Sequence, residues 1–238
     1  MCVYSGSDTG SGESAPPTLR AVLFDMDGTL IDSEKLWTIA LDEVARELGG
    51  ELSATTRSAM VGTDLVSSVQ MLLDDIGVQA ELEVAKRLLV SAAAEQFAGE
   101  MDWRPGAREL LDAVGAAGLR TALVTSTHRN LVSRALETIG RDRFDVIVCG
   151  DDVQHTKPHP EPYLRALREL DIPAGSAVAI EDSPAGSTSA RSAGIVTLVV
   201  PSEVLVAPAS GLVLADTLVG VTAGFLATLL NPGAVDDV

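Results

Sequence analysis

Ala21-Val-Leu-Phe-Asp25-Met-Asp27-Gly28-Thr29-Leu30 is the stretch from which the fold of this chain is read. An apolar run of strand type stops at two aspartates spaced i, i+2, and Gly-Thr follows. That spacing sets both carboxylates on one rim at the carboxyl end of a strand, where open α/β sheets place their ligands. One carboxylate there can attack as a nucleophile while its neighbour donates a proton. Such a pair suits phosphoryl transfer through an aspartyl-phosphate. Gly28 lets the chain turn away sharply without a side chain blocking the nucleophile.

Two patterns follow. From about Leu36 to Gly99 there is no strand-like run bounded by turn signals. Leu36, Ala40, Val44 and Leu48 recur at helical spacing until Gly49-Gly50 stops the helix. Leu65, Val69, Leu72 and Ile76 form a second stripe ending at Gly77, and Leu82, Ala85, Leu88, Leu89 and Ala92 form a third. A block of three or four helices is therefore inserted directly after the first strand. From Pro105 onward strands and helices alternate. Strands are predicted over Thr121–Thr125, Asp145–Cys149, Ala177–Ile180 and Ile195–Val200, with helices between them. Alternation of this kind implies a doubly wound, Rossmann-like parallel sheet covered on both faces. The predicted organisation is a flexible leader over 1–18, an α/β core over 19–34 and 102–238, and an α-helical insert over 35–101.

The bulk properties narrow the partners. A net charge of −17 argues against a nucleic-acid binder, which must replace phosphate counterions, and against docking on an anionic membrane. An acidic protein acting on a phosphorylated compound must concentrate its few cations, and a metal, at the site. With 46% hydrophobic but only 3% aromatic residues, the core must be built mainly from Ala, Val and Leu. Two cysteines give no disulfide framework or zinc cluster, and Cys149 in its apolar run reads as buried. Gly211 to Leu230 is nearly all apolar, but Asp216, Gly220 and Gly224 break it into a short strand and a helix rather than a membrane span. The start lacks the basic and long apolar stretches of a signal peptide, so a cytoplasmic protein is expected, as a monomer or small homo-oligomer.

Three further groups fall near strand ends that a parallel sheet brings to one edge: Thr125-Ser126, Lys157-Pro158 and Glu181-Asp182-Ser183. A carboxylate attacking a phosphate dianion meets repulsion, which a divalent cation relieves. Mg2+ requires oxygen ligands, which Asp25, Asp182 and Glu181 can supply. Lys157 offers positive charge to phosphoryl oxygens, Thr125 a hydroxyl and Ser126 an amide. Ser183-Pro184 reads as the N-cap and first position of a helix that opens toward this edge.

Asp25-Met-Asp27-Gly-Thr, Thr125, Lys157-Pro and Glu181-Asp182-Ser-Pro-Ala-Gly186 occur in the order of the four motifs of the haloacid dehalogenase-like phosphohydrolase superfamily. The chain resembles that superfamily from residue 20 to about 230. The resemblance implies that Asp25 is the nucleophile and an Mg2+ ligand. It implies that Asp27 is the acid and then the base, with its backbone carbonyl on the metal. Thr125, the Ser126 amide and Lys157 would bind the phosphoryl group. Asp182 would hold Mg2+, with Glu181 assisting directly or through water. The insert is similar to the superfamily's helical cap, which closes over the site and reads the leaving group. Glu34 and Trp37, at the start of that cap, are then candidate substrate contacts. Trp103 is expected to pack where the chain returns to the core, and His128, His155 and His159 to be solvated or at the rim.

Asp27 speaks against the dehalogenase and phosphonoacetaldehyde hydrolase branches of the superfamily. The β-phosphoglucomutases carry a cap histidine at about the position of Trp37, and the insert here contains no histidine. Asp32-Ser-Glu-Lys-Leu-Trp37 and Lys157-Pro-His-Pro-Glu-Pro-Tyr163 resemble sugar-phosphate phosphatases of the 2-deoxyglucose-6-phosphate type. The resemblance thus implies Mg2+-dependent hydrolysis of a small phosphorylated metabolite, a sugar phosphate, with a phosphomutase as the alternative. A signalling receiver module also groups acidic residues with a Thr or Ser and a Lys. Its acceptor aspartate, however, follows the third strand, and it has no helical insert.

Overall fold

The computed structural model describes residues 18–60 and 63–231. All but the last residue of the expected leader, Cys2 within it, Gly62 and the end of the expected core from 232 lie outside the described residues.

The first strand, β1 (Ala21–Phe24), has no solvent exposure at any residue. A strand covered on both faces must be apolar throughout, which is why this run carries no alternation. Full burial of Val22, Leu23 and Phe24 contributes roughly 1.5–3 kcal/mol each. The chain then leaves the sheet for four helices: α1 (Glu34–Glu47), α2 (Ala54–Met60), α3 (Leu65–Ile76) and α4 (Leu82–Gln96). The three periodic stripes correspond to α1, α3 and α4. The helix α2, Ala-Thr-Thr-Arg-Ser-Ala-Met, has no stripe because it buries only Met60. Helix α1 begins at Glu34, one residue before the expected insert boundary. Asp64 caps α3 by accepting from the amides of Val66 and Ser67, and Gly77 ends it in the left-handed region.

The two chain segments joining the insert to the sheet bind each other. The amide of Asp32 donates to the Asp102 carbonyl at 2.8 Å, and that of Arg104 to the Leu30 carbonyl at 2.9 Å. Trp103 pairs with Ile31 in the same ribbon, with the Arg143 guanidinium 5.7 Å above its ring. Beyond it come α5 (Ala107–Ala116), β2 (Arg120–Val124), α6 (Arg129–Ile139), β3 (Val146–Val148) and α7 (Glu161–Leu170). The chain continues through β4 (Ala177–Glu181), α8 (Pro184–Ser192), β5 (Val196–Val199), β6 (Leu212–Leu214) and α9 (Ala223–Thr228). Strand β3 is shorter than expected at both ends. The Asp145 carboxylate turns to the Thr121 amide and Arg120, and the Cys149 amide is taken by the Asp152 carboxylate.

All six strands are parallel, in the order β3-β2-β1-β4-β5-β6. The chain crosses from one half of the sheet to the other around β1, which makes its carboxyl end the switch point where such sheets open a crevice. Val22, Phe24, Leu123 and Val178 pack into a core shared with α5, α6, α9 and the insert. Ala21, Leu23, Val124 and Ala179 face the opposite core with α7 and α8. Cys149 is buried, as its apolar run predicts, and burial pushes its thiol up to about 12. The 211–230 stretch divides into β6 and α9, and among the described residues no helix is long and apolar enough to cross a membrane.

Two glycines test how this geometry is held. Gly49 (φ +88°) has open space where a Cβ would stand, whereas a Cβ at Gly106 (φ +82°) would overlap the backbone of Leu218 and Val219. Gly49→Ala should therefore cost only the backbone strain, about 1 kcal/mol. Gly106→Ala adds a collision that no rotamer relieves and should cost more than about 2 kcal/mol. Denaturant melts of both variants check this, and equal losses would contradict it.

Candidate active site

A lysine lies at the centre of the crevice. Lys157, on the loop between β3 and α7, donates to Asp25 Oδ1 at 2.5 Å and to Glu181 Oε1 at 2.6 Å. All three side chains are buried. Asp25 stands just past β1 and Glu181 is the last residue of β4, so the ammonium ties adjacent strands to the loop beyond β3. Burial pulls the Lys157 ammonium toward losing its proton, but the Asp25 and Glu181 carboxylates overcome this and raise its pKa. Burial drives Asp25 well above the ordinary carboxylate range. Lys157 opposes that rise, while Glu181, Asp182 and Asp27 add to it.

Glu181 is enclosed from every side. Its Oε1 also accepts from Tyr163 Oη at 2.6 Å, and its Oε2 lies 3.3 Å from the Asp182 amide and 3.5 Å from Ser183 Oγ. Gly186 lies against it so closely that any Cβ there would overlap the carboxylate. The expected helix start is present: Ser183 caps α8 by accepting from the Gly186 amide at 3.1 Å, with Pro184 at the first position.

Asp182 faces the same crevice. Its Oδ2 is 2.6 Å from Ser202 Oγ, and Ser202 Oγ is 2.5 Å from Glu34 Oε1. A hydroxyl has one proton to give, so one of these two carboxyls must donate in return. Both are pushed up to about 7, foremost by burial. Gly28 (φ +74°) takes a turn closed to side chains, and a Cβ there would land on the Asp182 carboxylate. It is therefore Asp182, rather than the expected nucleophile Asp25, that a side chain at position 28 would obstruct.

Asp27 is gripped by four donors. Ser33 Oγ at 2.6 Å and Trp37 Nε1 at 3.2 Å reach Oδ1, and Thr127 Oγ1 at 2.7 Å and Thr125 Oγ1 at 3.3 Å reach Oδ2. Ser33 and Trp37 lie at the start of the insert, and Thr125 and Thr127 lie past β2. The Thr125 hydroxyl, expected on a phosphoryl group, here serves Asp27 and accepts from the Thr127 amide at 3.0 Å. Trp37, expected on the substrate, holds Asp27 and sets its ring edge-on to Phe97, with centroids 5.6 Å apart. Thr127 and Ser202 stand outside the sequence motifs, and Ser33 and Tyr163 occur only within the two stretches that resemble sugar-phosphate phosphatases, with no role implied for either. Each is a common residue type, and only proximity to a distant carboxylate gives it a role.

A cavity of about 140 Å³ opens above these groups. Asp25, Asp27, Thr125, Ser126, Lys157 and Asp182 line one side, and Glu34, Trp37, Leu41, Met60, Leu65 and Leu89 of the insert line the other. Ser126 Oγ is buried with no hydrogen-bond partner, so its hydroxyl as well as its amide is available there. His128 lines the cavity, whereas His155 and His159 are exposed, with their rings tilted at 35° and centroids 4.6 Å apart. Asp25, Glu181 and Asp182 each offer a carboxylate oxygen, all within 4.8 Å of one another. A hard, all-oxygen set of this kind suits Mg2+ better than a soft metal.

Buried carboxyls raised above their unfolded values make stability fall as pH climbs. The folded state holds protons that the unfolded state has already released, so stability is lost between about pH 4 and somewhat above 7. The carboxylates held low, such as Asp145 and Asp152, lose their contribution only at more acid pH. In chelator, the melting temperature should drop from pH 5.5 to pH 8 in calorimetry. A flat or rising profile would contradict the site's electrostatics.

A profile of the haloacid dehalogenase-like hydrolase family matches residues 22–200. A phosphorylated carbohydrates phosphatase of Thermotoga maritima is 33% identical over 178 residues, 74% of this chain and 82% of that protein. Hexitol phosphatase B of Escherichia coli K12 is 29% identical over 195 residues, 79% of this chain and 86% of that protein. The crystal structure of CbbY from Rhodobacter sphaeroides in complex with phosphate matches with a TM-score of 0.80 at 30% identity, covering 88% of this chain and 99% of that one. With its four motifs converging on one sheet edge, this chain belongs to the haloacid dehalogenase-like hydrolase family.

Proposed function

We propose that this protein is an Mg2+-dependent phosphatase that hydrolyses a small sugar phosphate through an aspartyl-phosphate on Asp25. The observation that carries the reading is the buried set of Asp25, Lys157, Glu181 and Asp182 beneath a cavity roofed by the insert. Asp25 and Asp182 are the residues that would hold Mg2+, with Glu181 beside them. When bound, the cation supplies counter-charge for the anionic nucleophile and the phosphoryl oxygens.

The chain's own groups carry the remaining steps. An Asp25 carboxylate oxygen attacks phosphorus, and the bond from phosphorus to the ester oxygen breaks. Asp27 gives a proton to the departing alcohol. Asp27 then takes a proton from water as the water attacks the aspartyl-phosphate, which releases inorganic phosphate and restores both carboxyls. Lys157 and the Ser126 amide and hydroxyl hold phosphoryl oxygens, in a site fixed before the reaction. The insert acts as a cap domain: Trp37, Leu41, Met60 and Leu65 keep water from the intermediate and contact the leaving group.

The relatives act on similar chemistry by name, and a second CbbY structure holds xylulose-1,5-bisphosphate. Hydrolysis is favoured over a mutase because Trp37, where mutases carry a histidine, meets Asp27 through an indole N–H that can donate but never accept. A cytoplasmic setting and a monomer or small homo-oligomer accompany this reading.

Inorganic phosphate release from a panel of hexose, pentose, glycerol and glycolate phosphates should require Mg2+ and vanish in chelator. Asp25→Asn should lower turnover by at least about 1,000-fold and Asp27→Asn by about 100-fold or more. Undiminished release from Asp25→Asn would refute the nucleophile. Mg2+ at about 100 times its dissociation constant should also stabilise the protein at pH 8 by about 2.7 kcal/mol. No shift in melting temperature would remove the metal from the proposal.

A further inference from the structure

Tyr163 is the largest fully buried side chain among the described residues, yet it is not purely a packing residue. It lies in the first turns of α7, just beyond the loop that carries Lys157. Its ring joins the core formed with β1 and β2, and the Lys157 ammonium stands 5.3 Å from the ring centroid. Its hydroxyl donates to Glu181 Oε1 at 2.6 Å, the same oxygen that accepts from Lys157 at 2.6 Å.

An ammonium has three N–H bonds in fixed tetrahedral directions. Two are directed to Asp25 and Glu181, so the positions of those two oxygens set where the third points. The Asp182 and Ser183 contacts to Glu181 Oε2, at 3.3 and 3.5 Å, are long, and Gly186 closes the space behind. The short bond from Tyr163 is thus what fixes Oε1. Without it, a buried carboxylate oxygen would have only the ammonium to turn to and would draw Lys157 toward itself.

Resting on the phosphatase reading above, we propose that Tyr163 is a positioning residue for phosphoryl binding. Its hydroxyl pins Glu181 so that Lys157 keeps its remaining N–H aimed at the phosphoryl group. Lys157 meets the phosphoryl oxygens of the ester and of free phosphate alike. Loss of the hydroxyl therefore weakens binding of both rather than the chemical step.

The test is Tyr163→Phe, which keeps the ring and the packing. KM for the best sugar phosphate and the inhibition constant of inorganic phosphate should both rise about five- to tenfold, the scale of one hydrogen bond. kcat should stay within about threefold. Tyr163→Leu, which also removes the aromatic face, should raise both constants further. Calorimetric titration of inorganic phosphate into the Mg2+-loaded protein should show the same loss. Unchanged KM and phosphate binding in Tyr163→Phe, with or without a lower melting temperature, would overturn the proposal. Wild-type protein that binds phosphate but releases none from any ester would instead sink the phosphatase reading, and the titration would still decide the role of Tyr163.

Discussion

A buried lysine held between two carboxylates is the constraint on which this molecule turns. Removing one ammonium and two carboxylates from water is costly, and their mutual attraction repays that cost only when geometry and hydrogen bonding are tight. The contacts of 2.5 and 2.6 Å meet this condition. Loss of one partner would strand an unpaired charge in the core, with a typical cost of about 3–5 kcal/mol. The network thus fixes the ends of β1 and β4 and the loop after β3 in one arrangement. Because three negative groups, Asp25, Glu181 and Asp182, share a single buried ammonium, the crevice remains short of positive charge. That shortage makes it receptive to a cation, and it explains why burial lifts Asp25 and Asp182 so far.

The helical insert contributes to the same site by another route. Its first turn provides Glu34, bridged through Ser202 to Asp182, and Trp37, bonded to Asp27. Ser33, at the junction, holds Asp27 as well. Any shift of α1 relative to the sheet must therefore disturb both Asp182 and Asp27. The paired connecting segments at Leu30–Asp32 and Asp102–Arg104 limit where such a shift can begin. The roof of the cavity mixes the apolar Trp37, Leu41, Met60, Leu65 and Leu89 with Glu34 and Arg57, while Asp25, Asp27, Lys157 and Asp182 form its floor.

The close approaches of glycine bear on how much a sequence pattern conveys. Gly28 and Gly186 stand in motifs that read naturally as turn and helix start. The structure adds that each also leaves room for a specific carboxylate, Asp182 and Glu181 respectively. A glycine in a sequence announces backbone freedom. Which neighbour needs the missing Cβ is a property of two segments brought together by the fold.

The sequence alone determined the sheet, the insert and the candidate nucleophile. These rest on local patterns, namely an unbroken apolar run, helical periodicity and two aspartates spaced i, i+2, whose physical meaning does not depend on distant chain. It also pointed to Lys157 and Asp182, because parallel strands bring all their carboxyl ends to one edge. The tertiary structure alone decided what each polar side chain does there. Glu181, expected beside the metal directly or through water, accepts from Lys157 and Tyr163 while its carboxylate stays within 4.8 Å of those of Asp25 and Asp182, and Trp37 and Thr125 attach to Asp27. Ser202 enters the site from a segment whose sequence carries no sign of it, and Tyr163, six residues past Lys157, gains its role only through contact with Glu181. Hydrogen bonds of 2.5 to 3.3 Å between residues up to 168 positions apart are set by packing, and no spacing along the chain encodes them.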